Sequence, residues 1–313
     1  MIKIAVLGAN PAWQKTLHFD DFKCGKVNRA ADIEEFPSGK GVNFCRAVLI
    51  CGISTPVLLQ FAGGNNGRKL VNALDKLNIE HATSFTATDT RCCTTILNKF
   101  DSSTTECIEP SYSVNDEEIN QLISMAKEVI PQCQAVAFCG TLPGSTDQKV
   151  YELISEIAAK NAVPLLLDVC KGIENVLRSD AQTHLKINRD ELFLLTQQSD
   201  VKVAIKQLFN SYPSLQTAAI TDGPERAYAS DGKLFVSYDL PKLDNIVSTL
   251  GCGDTASAVY CSHIASGIPF DIAFKKALAS ASANCLSTLC GEFKITEAEK
   301  IEKKILCKSV YLF

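Results

Sequence analysis

The sequence predicts an α/β protein built on a doubly wound, mainly parallel sheet flanked by helices. Two observations carry that expectation. Short apolar runs alternate with helical stretches along most of the 313 residues, the pattern of strand–helix–strand units joined by right-handed crossovers. The glycine-bearing turns of the chain fall at the carboxyl ends of those runs, where open α/β sheets bind ligands.

In chain order, residues 3–8 read as a buried first strand. The run is too short for a signal peptide and lacks its basic start. Residues 16–37 break the alternation and read as extended pieces. A helix near 44–51, a strand at 56–61 and a helix near 68–77 follow. Residues 91–109 are a second extended interruption, β-branched around Thr94-Thr95-Ile96. Helices near 116–130 and 148–159 then alternate with strands at 135–139 and 164–168. A strand at 184–187 leads into helices near 189–196 and 201–210, and a strand at 218–221 follows. Ile246 and Val247 look like the end of a further strand, and Ala256, Val259, Tyr260 and Ile264 recur at helical spacing until Gly267. The basic stretch 294–308 reads as a helix with a solvated face. There is no internal repeat, low-complexity tract or long linker.

Composition narrows the class. With 46% hydrophobic and 21% charged residues, the chain has the make-up of a soluble protein with a sizeable core. Its length allows one large α/β domain with a small appendage, or two domains. A net charge of -4 gives no general pull toward nucleic acid or anionic lipid, and no apolar run approaches membrane-spanning length. The 14 cysteines are scattered, without Cys-x-x-Cys, and only four histidines accompany them. Reduced thiols serving as small core residues in the cytoplasm are expected.

Four segments carry chemistry. Thr249-Leu250-Gly251-Cys252-Gly253-Asp254 is a glycine-framed turn opening a helix. Such a turn leaves successive backbone N–H groups unpaired and, with the helix dipole, favours an anion. Asp254 beside it suits a reaction in which a hydroxyl loses a proton while charge develops on a phosphoryl group. The same four residues also fit a steric glycine turn with an aspartate cap. In Ser38-Gly39-Lys40-Gly41-Val42-Asn43, the glycines allow close backbone approach, Lys40 supplies a point charge for phosphate, and Asn43 can bond a sugar hydroxyl. Lys186-Ile187-Asn188-Arg189-Asp190-Glu191 puts Asn188 and Glu191 on one face of a helix start, equally readable as a cap plus a solvated carboxylate. Thr221-Asp222-Gly223-Pro224 is, taken alone, an ordinary turn.

In this order the four segments resemble the ribokinase/PfkB family of carbohydrate kinases. The resemblance runs from Ile4 to about residue 295 and includes Gly63-Gly64 and Gly140-Thr141-Leu142-Pro143-Gly144. It implies one ribokinase-like domain over residues 1–313, with a small β-sheet lid inserted from about 14–37 and 91–109. The lid is expected over the sugar site and as a homodimer contact. The resemblance also implies ATP and Mg²⁺, with Asp254 as general base and the backbone of Gly251, Cys252 and Gly253 as an anion hole. Lys186, Asn188 and Glu191 would organise the phosphates and, through water, the metal. Thr221, Gly223 and Asn284 would line the nucleotide side.

The start Asn10-Pro11-Ala12, the Gly25-Lys26-Val27-Asn28-Arg29 run and the form of the Gly39 segment are similar to the phosphosugar branch. A phosphorylated ketose is therefore the expected acceptor, fructose 1-phosphate first, then tagatose 6-phosphate or fructose 6-phosphate. Gln14, Lys26, Gly39, Lys40, Asn43 and Arg91 would hold it. A phosphosugar-binding regulator without chemistry is the alternative class. Three positions depart from the family pattern: Gln14 replaces an aspartate, Cys252 an alanine and Arg226 a glycine. A thiol at a helix N-terminus should have a lowered pKa and be open to oxidation unless it points into protein, so Cys252 is a candidate redox-sensitive group.

Overall fold

The computed structural model describes residues 2–144 and 146–313. The first part of the chain forms β1 (Ile2–Leu7), β2 (Ala12–Phe19), β3 (Asp32–Ser38), α1 (Lys40–Cys51), β4 (Ser54–Gly63), α2 (Gly64–Lys76), β5 (Glu80–Thr86), β6 (Cys92–Asn98) and β7 (Ser103–Ile108). The middle forms α3 (Asp116–Val129), β8 (Ala135–Cys139), α4 (Lys149–Lys160), β9 (Leu165–Asp168), α5 (Glu174–Leu177), β10 (Thr183–Asn188), α6 (Arg189–Thr196), α7 (Val201–Ser211) and β11 (Leu215–Asp222). The last part forms β12 (Arg226–Ser230), β13 (Leu234–Asp239), α8 (Cys252–Ala265), α9 (Phe270–Asn284), α10 (Ile295–Glu302) and β14 (Leu306–Tyr311).

Among the described residues the large sheet has ten strands in the order β14-β13-β12-β11-β10-β9-β8-β1-β4-β5. From β5 to β11 every pairing is parallel, and β12, β13 and β14 add an antiparallel edge. The apolar runs became central parallel strands because both of their faces are covered. In β1, Ala5 and Leu7 face one layer with α3, α4, α6 and α7, while Ile4 and Val6 face the other with α1, α2, α8 and α9. The expected doubly wound sheet is present. β2, β3, β6 and β7 form a separate four-stranded sheet from the two interruptions.

Several elements differ from the sequence expectation, among them α9, for which no helix was expected. Ile246 and Val247 are not a strand end: they lie in irregular, exposed chain, where the N–H groups of Val247 and Ser248 both donate to the Cys285 carbonyl at 2.8 and 3.2 Å. The stretch 294–308 is a helix only as far as Glu302. After a turn at Lys303-Lys304 it becomes β14, pairing antiparallel with β13, and the β-branched and aromatic residues of its end suit a pleated edge. β5, β12 and β13 were not among the expected strands; β5 reads Glu80-His81-Ala82-Thr83-Ser84-Phe85-Thr86 without an apolar run, whereas β13 opens on Leu234-Phe235-Val236.

Candidate active site

The site lies at the carboxyl ends of the parallel strands, and its geometry begins with a glycine–glycine contact. Gly41, in the first turn of α1, packs on Gly8 at the end of β1; a Cβ at Gly41 would fall 2.5 Å from the Gly8 Cα. Only two glycines allow that approach. It sets the N-terminus of α1 over the sheet and turns Asn43 inward, where it is buried. From the far end of the chain, Gly251 adopts a left-handed conformation (φ 76°) and caps α8 without any side-chain cap. The Cys252 N–H reaches back to the Thr249 carbonyl at 3.5 Å, and the next N–H groups of the turn, on Gly253 and Asp254, are left for an anion. Asp254 follows in that turn, 6% exposed. The two motifs meet directly: Asn43 Nδ2 donates to Asp254 Oδ2 at 2.8 Å, across 211 residues of sequence.

Burial is the largest influence on Asp254 and raises its pKa to about 6, with the nearby Asp168 carboxylate raising it further. The Asn43 hydrogen bond and the charges of Lys40 and Lys186 pull in the opposite direction. Lys40 is raised above its ordinary range, first by Asp168 and then by Asp254 and Glu191, against the effect of its own burial. Lys186 is buried at the floor of the site. Its Nζ donates to the Gly253 carbonyl at 3.1 Å and stands 3.8 Å from Asp168 Oδ1. It thus ties the Gly251–Asp254 turn to β9.

A cavity of about 320 Å³ opens beside Lys40 and Asp168, lined also by Arg91, Gly140, Thr141 and Glu191 among others; Asn43, Lys186 and Asp254 are not among its lining residues. Asn188 and Glu191 form a reciprocal capping box at the start of α6: Glu191 N donates to Asn188 Oδ1 and Asn188 N to Glu191 Oε2, both at 2.9 Å. The cap and the functional reading are compatible, because the cap is what holds the Glu191 carboxylate at the cavity. Arg91 donates from Nη2 to the Asn10 carbonyl at 3.3 Å, while its Nε is buried without a protein partner. That leaves a cation with spare donors beside the cavity.

Several expected residues lie elsewhere. Gln14 spends its amide within the smaller sheet, donating to Thr95 Oγ1 at 2.8 Å and to the Lys15 carbonyl. Lys26 is exposed in the β2–β3 connection and does not line the cavity. Gly39 serves as the α1 cap with φ 108°. Thr221 pairs with Asn188 at the ends of adjacent strands, and Gly223 follows with φ 68° and open space where a Cβ would be. Arg226 is exposed and 3.8 Å from Asp239.

Asn284 is a correction. It is 0% exposed rather than on a helix surface, and its amide is consumed: Oδ1 accepts from Thr255 Oγ1 at 2.6 Å and Gly291 N at 2.9 Å, and Nδ2 donates to the Leu250 carbonyl. With both amide atoms spent inside the protein, it braces the Gly251–Asp254 turn. Cys252 is the second correction. Its thiol is raised, not lowered, first by the hydrogen bond with Cys285 and then by burial, with Asp254 also contributing. The Sγ atoms of the two residues are 3.1 Å apart, and Cys285 is the lowered partner, at about 7.

The sequence reading assigned no role to Asp168 or Arg46. Asp168 ends β9 as the only charge after Leu165-Leu166-Leu167, a signal that strand-end position could have supplied. Arg46 bonds the Cys290 carbonyl at 2.6 Å and the Pro37 carbonyl at 3.2 Å, linking α1 to the chain around Gly291 and to β3.

A general-base candidate at a bare helix N-terminus, with cations across a strand-end cavity, is the arrangement of a phosphoryl-transfer enzyme on a doubly wound fold. Residues 1–297 match the model of the pfkB family carbohydrate kinases, and the chain belongs to that family. Among solved structures, phosphofructokinase-2 from Escherichia coli in complex with potassium is similar with a TM-score of 0.88 and 20% identity, over 97% of this chain and 99% of that one. The same enzyme in complex with fructose-6-phosphate gives 0.85 and 20% over the same shares. A Thermotoga maritima protein described as a possible 1-phosphofructokinase gives 0.85 and 18%, over 98% of this chain and 99% of that one. These likenesses concern the fold.

Proposed function

We propose that this carbohydrate kinase transfers the γ-phosphoryl group of ATP to a hydroxyl of a phosphorylated ketose, with fructose 1-phosphate as the first acceptor. The observation that carries the reading is the buried Asn43–Asp254 hydrogen bond, which joins the two glycine-framed motifs into one site. Asp254 accepts the proton of the acceptor hydroxyl as its oxygen attacks the γ-phosphorus and the bond to the ADP oxygen breaks. A pKa near 6 keeps the carboxylate ionised at neutral pH yet basic enough to take a proton. The N–H groups at the start of α8 meet the charge that develops on the transferring group. Asn43 fixes the carboxylate and Lys186 fixes the turn that carries it.

Arg91 and Lys40 favour an acceptor that already bears phosphate, since a neutral sugar has no use for a half-buried guanidinium whose Nε lacks a partner. Tagatose 6-phosphate and fructose 6-phosphate are the alternative acceptors. The likeness to an enzyme crystallised with fructose-6-phosphate supports the same class. Among the described residues no three acidic, His or Cys side chains gather as a metal cage. Asp168 and Glu191 at the cavity nonetheless fit a magnesium ion held mainly by phosphates and water, which needs only one or two carboxylates. Bound there, magnesium would neutralise phosphate charge.

The smaller sheet we read as a lid over the sugar end and as the contact with a second copy, the whole forming one domain in the cytoplasm. Among the described residues no helix is long and apolar enough to cross a membrane. The reading is tested by following ATP consumption with Mg²⁺ across fructose 1-phosphate, fructose 6-phosphate, tagatose 6-phosphate and fructose. Turnover of one phosphosugar, lost in Asp254→Asn, is expected. Sugar-phosphate binding without turnover would replace it with the binding-regulator reading.

A further inference from the structure

Fourteen cysteines are present, and all are free thiols. Two of them meet at the site: Cys252 is the first residue of α8, Cys285 follows α9, and their sulfurs are 3.1 Å apart. Neither is fully buried. The surrounding backbone is already coupled, because the Cys285 carbonyl accepts the N–H groups of Val247 and Ser248 just before the catalytic turn. Cys285 thus touches the phosphate-binding turn through its sulfur on one side and its carbonyl on the other.

We propose that Cys252 and Cys285 form a reversible redox-modification site, a dithiol that a small-molecule or protein disulfide converts to an intramolecular disulfide and so switches the kinase off. The thiolate of Cys285 attacks one sulfur of the incoming disulfide and expels the other as a thiolate. Cys252 then loses its proton to solvent and attacks the Cys285 sulfur of the mixed disulfide, expelling the second thiolate. The two cysteines together lose two electrons, and the co-reactant gains them as two thiols. Cys285 is suited to the first attack, being lowered to about 7 by its contact with the Cys252 sulfur. A covalent S–S distance is about 2 Å, so the sulfurs need to approach by only about 1 Å.

That small movement has consequences because of where Cys252 stands. It opens α8, its N–H reaching the Thr249 carbonyl at 3.5 Å, and Asp254 follows two residues later. Drawing the turn toward α9 moves donors and base relative to the phosphoryl path, and a displacement of about 1 Å there costs about 10²-fold in rate. Cys290 also lies near, its Cβ 2.6 Å from where a Cβ on Gly251 would stand, so the choice of partner is itself testable.

The effect on turnover rests on the proposed kinase reading; the disulfide does not. The experiment is therefore read in two ways. The full chain is incubated with oxidised glutathione, alkylated and digested, and its cysteine-containing peptides are identified by mass. A Cys252–Cys285 cross-linked peptide, reversed by dithiothreitol, is expected. Both residues staying alkylatable while exposed Cys24, Cys107 and Cys307 react, stable glutathione adducts on either, or a bridge to Cys290 would overturn the proposal. The second reading is phosphosugar kinase activity: a fall of about 10²-fold on oxidation, restored by reduction and absent in Cys285→Ser, which keeps its activity when reduced. A cross-link without loss of turnover would remove the switch. A cross-link in a protein inactive toward every phosphosugar even when reduced would overturn the kinase reading and leave the redox site standing.

Discussion

The two sheets of this molecule differ in how fully they are covered. At the carboxyl ends of the large sheet, polar groups are buried and already paired: Asn43 with Asp254, Lys186 with Gly253 and Asp168, Asn284 with Thr255 and Gly291. The smaller sheet leaves β7 exposed along its length and sets Ile33 in solvent, 52% exposed. Preorganised donors and charges act strongly only where water is excluded and nothing must rearrange. A cover that opens and closes, or meets another chain, needs the reverse. The difference separates an end whose polar groups are fixed and enclosed from one that leaves much of its surface to solvent.

The sharpest way to break the comparison is to remove the charge the enclosed end was built around. Asp254→Asn is expected to lower turnover by about 10²–10⁴-fold, the usual worth of a positioned general base. It should also stabilise the fold. Asp254 is raised from its ordinary 3.8 to about 6, so the folded protein binds more protons than the unfolded chain between about pH 4 and pH 6. Stability therefore falls as pH rises through that window, and the cost is fully present above it. At about 1.4 kcal/mol per pKa unit this corresponds to about 3 kcal/mol. Urea unfolding of the two proteins at pH 7 and pH 4 checks the sign: the advantage of the variant should shrink at the lower pH.

Two glycines sharpen the same contrast. Gly41→Ala sets a Cβ 2.5 Å from the Gly8 Cα, a backbone contact that no rotamer relieves. A loss of about 3 kcal/mol or more is expected in denaturant unfolding, the upper range for overpacking. Gly25→Ala in the β2–β3 connection, with φ 74° and nothing within 4 Å of the new atom, meets only left-handed strain and should cost about 1 kcal/mol. Equal effects would remove the distinction between the regions.

A subtler change leaves the carboxylate and removes its partner. Asn43→Ala deletes the hydrogen bond that holds the Asp254 pKa down. The carboxyl should then titrate above its present value of about 6, and the acid limb of the kcat/KM profile should move to higher pH. An unmoved limb would mean that another group limits the rate at low pH.

How much of this was legible in the sequence follows from what each feature requires. The central strands were readable because a parallel strand covered on both faces is a continuous apolar run, as in Leu165-Leu166-Leu167. Asn43 and Asp254 were readable because the backbone around them demands glycine. The strand-end place of Asp168 was readable too, but its pairing with Lys186 was not, since the two become neighbours only when β9 and β10 pair. The Cys252–Cys285 contact and the burial of Asn284 depend on how α9 lies against α8, which no local pattern records. Even the direction of the Cys252 shift was hidden: the helix terminus favours a thiolate, but Asp254 and the Cys285 contact oppose it.

The smallest effect on stability is expected in the smaller sheet, and it is informative for that reason. Ile33, Leu17 and Ile96 stand in register across β3, β2 and β6 and so share one face. With Ile33 half in water, Ile33→Asp should alter unfolding by no more than about 0.5 kcal/mol. If a second copy covers that row, the same substitution places a charge against apolar surface and should convert dimer to monomer in sedimentation. A dimer that persists with unchanged affinity would place the contact elsewhere and leave the smaller sheet only its role over the cavity. A raised KM for the phosphosugar with unaltered unfolding would tie substrate capture to pairing through that sheet, with the catalytic end untouched.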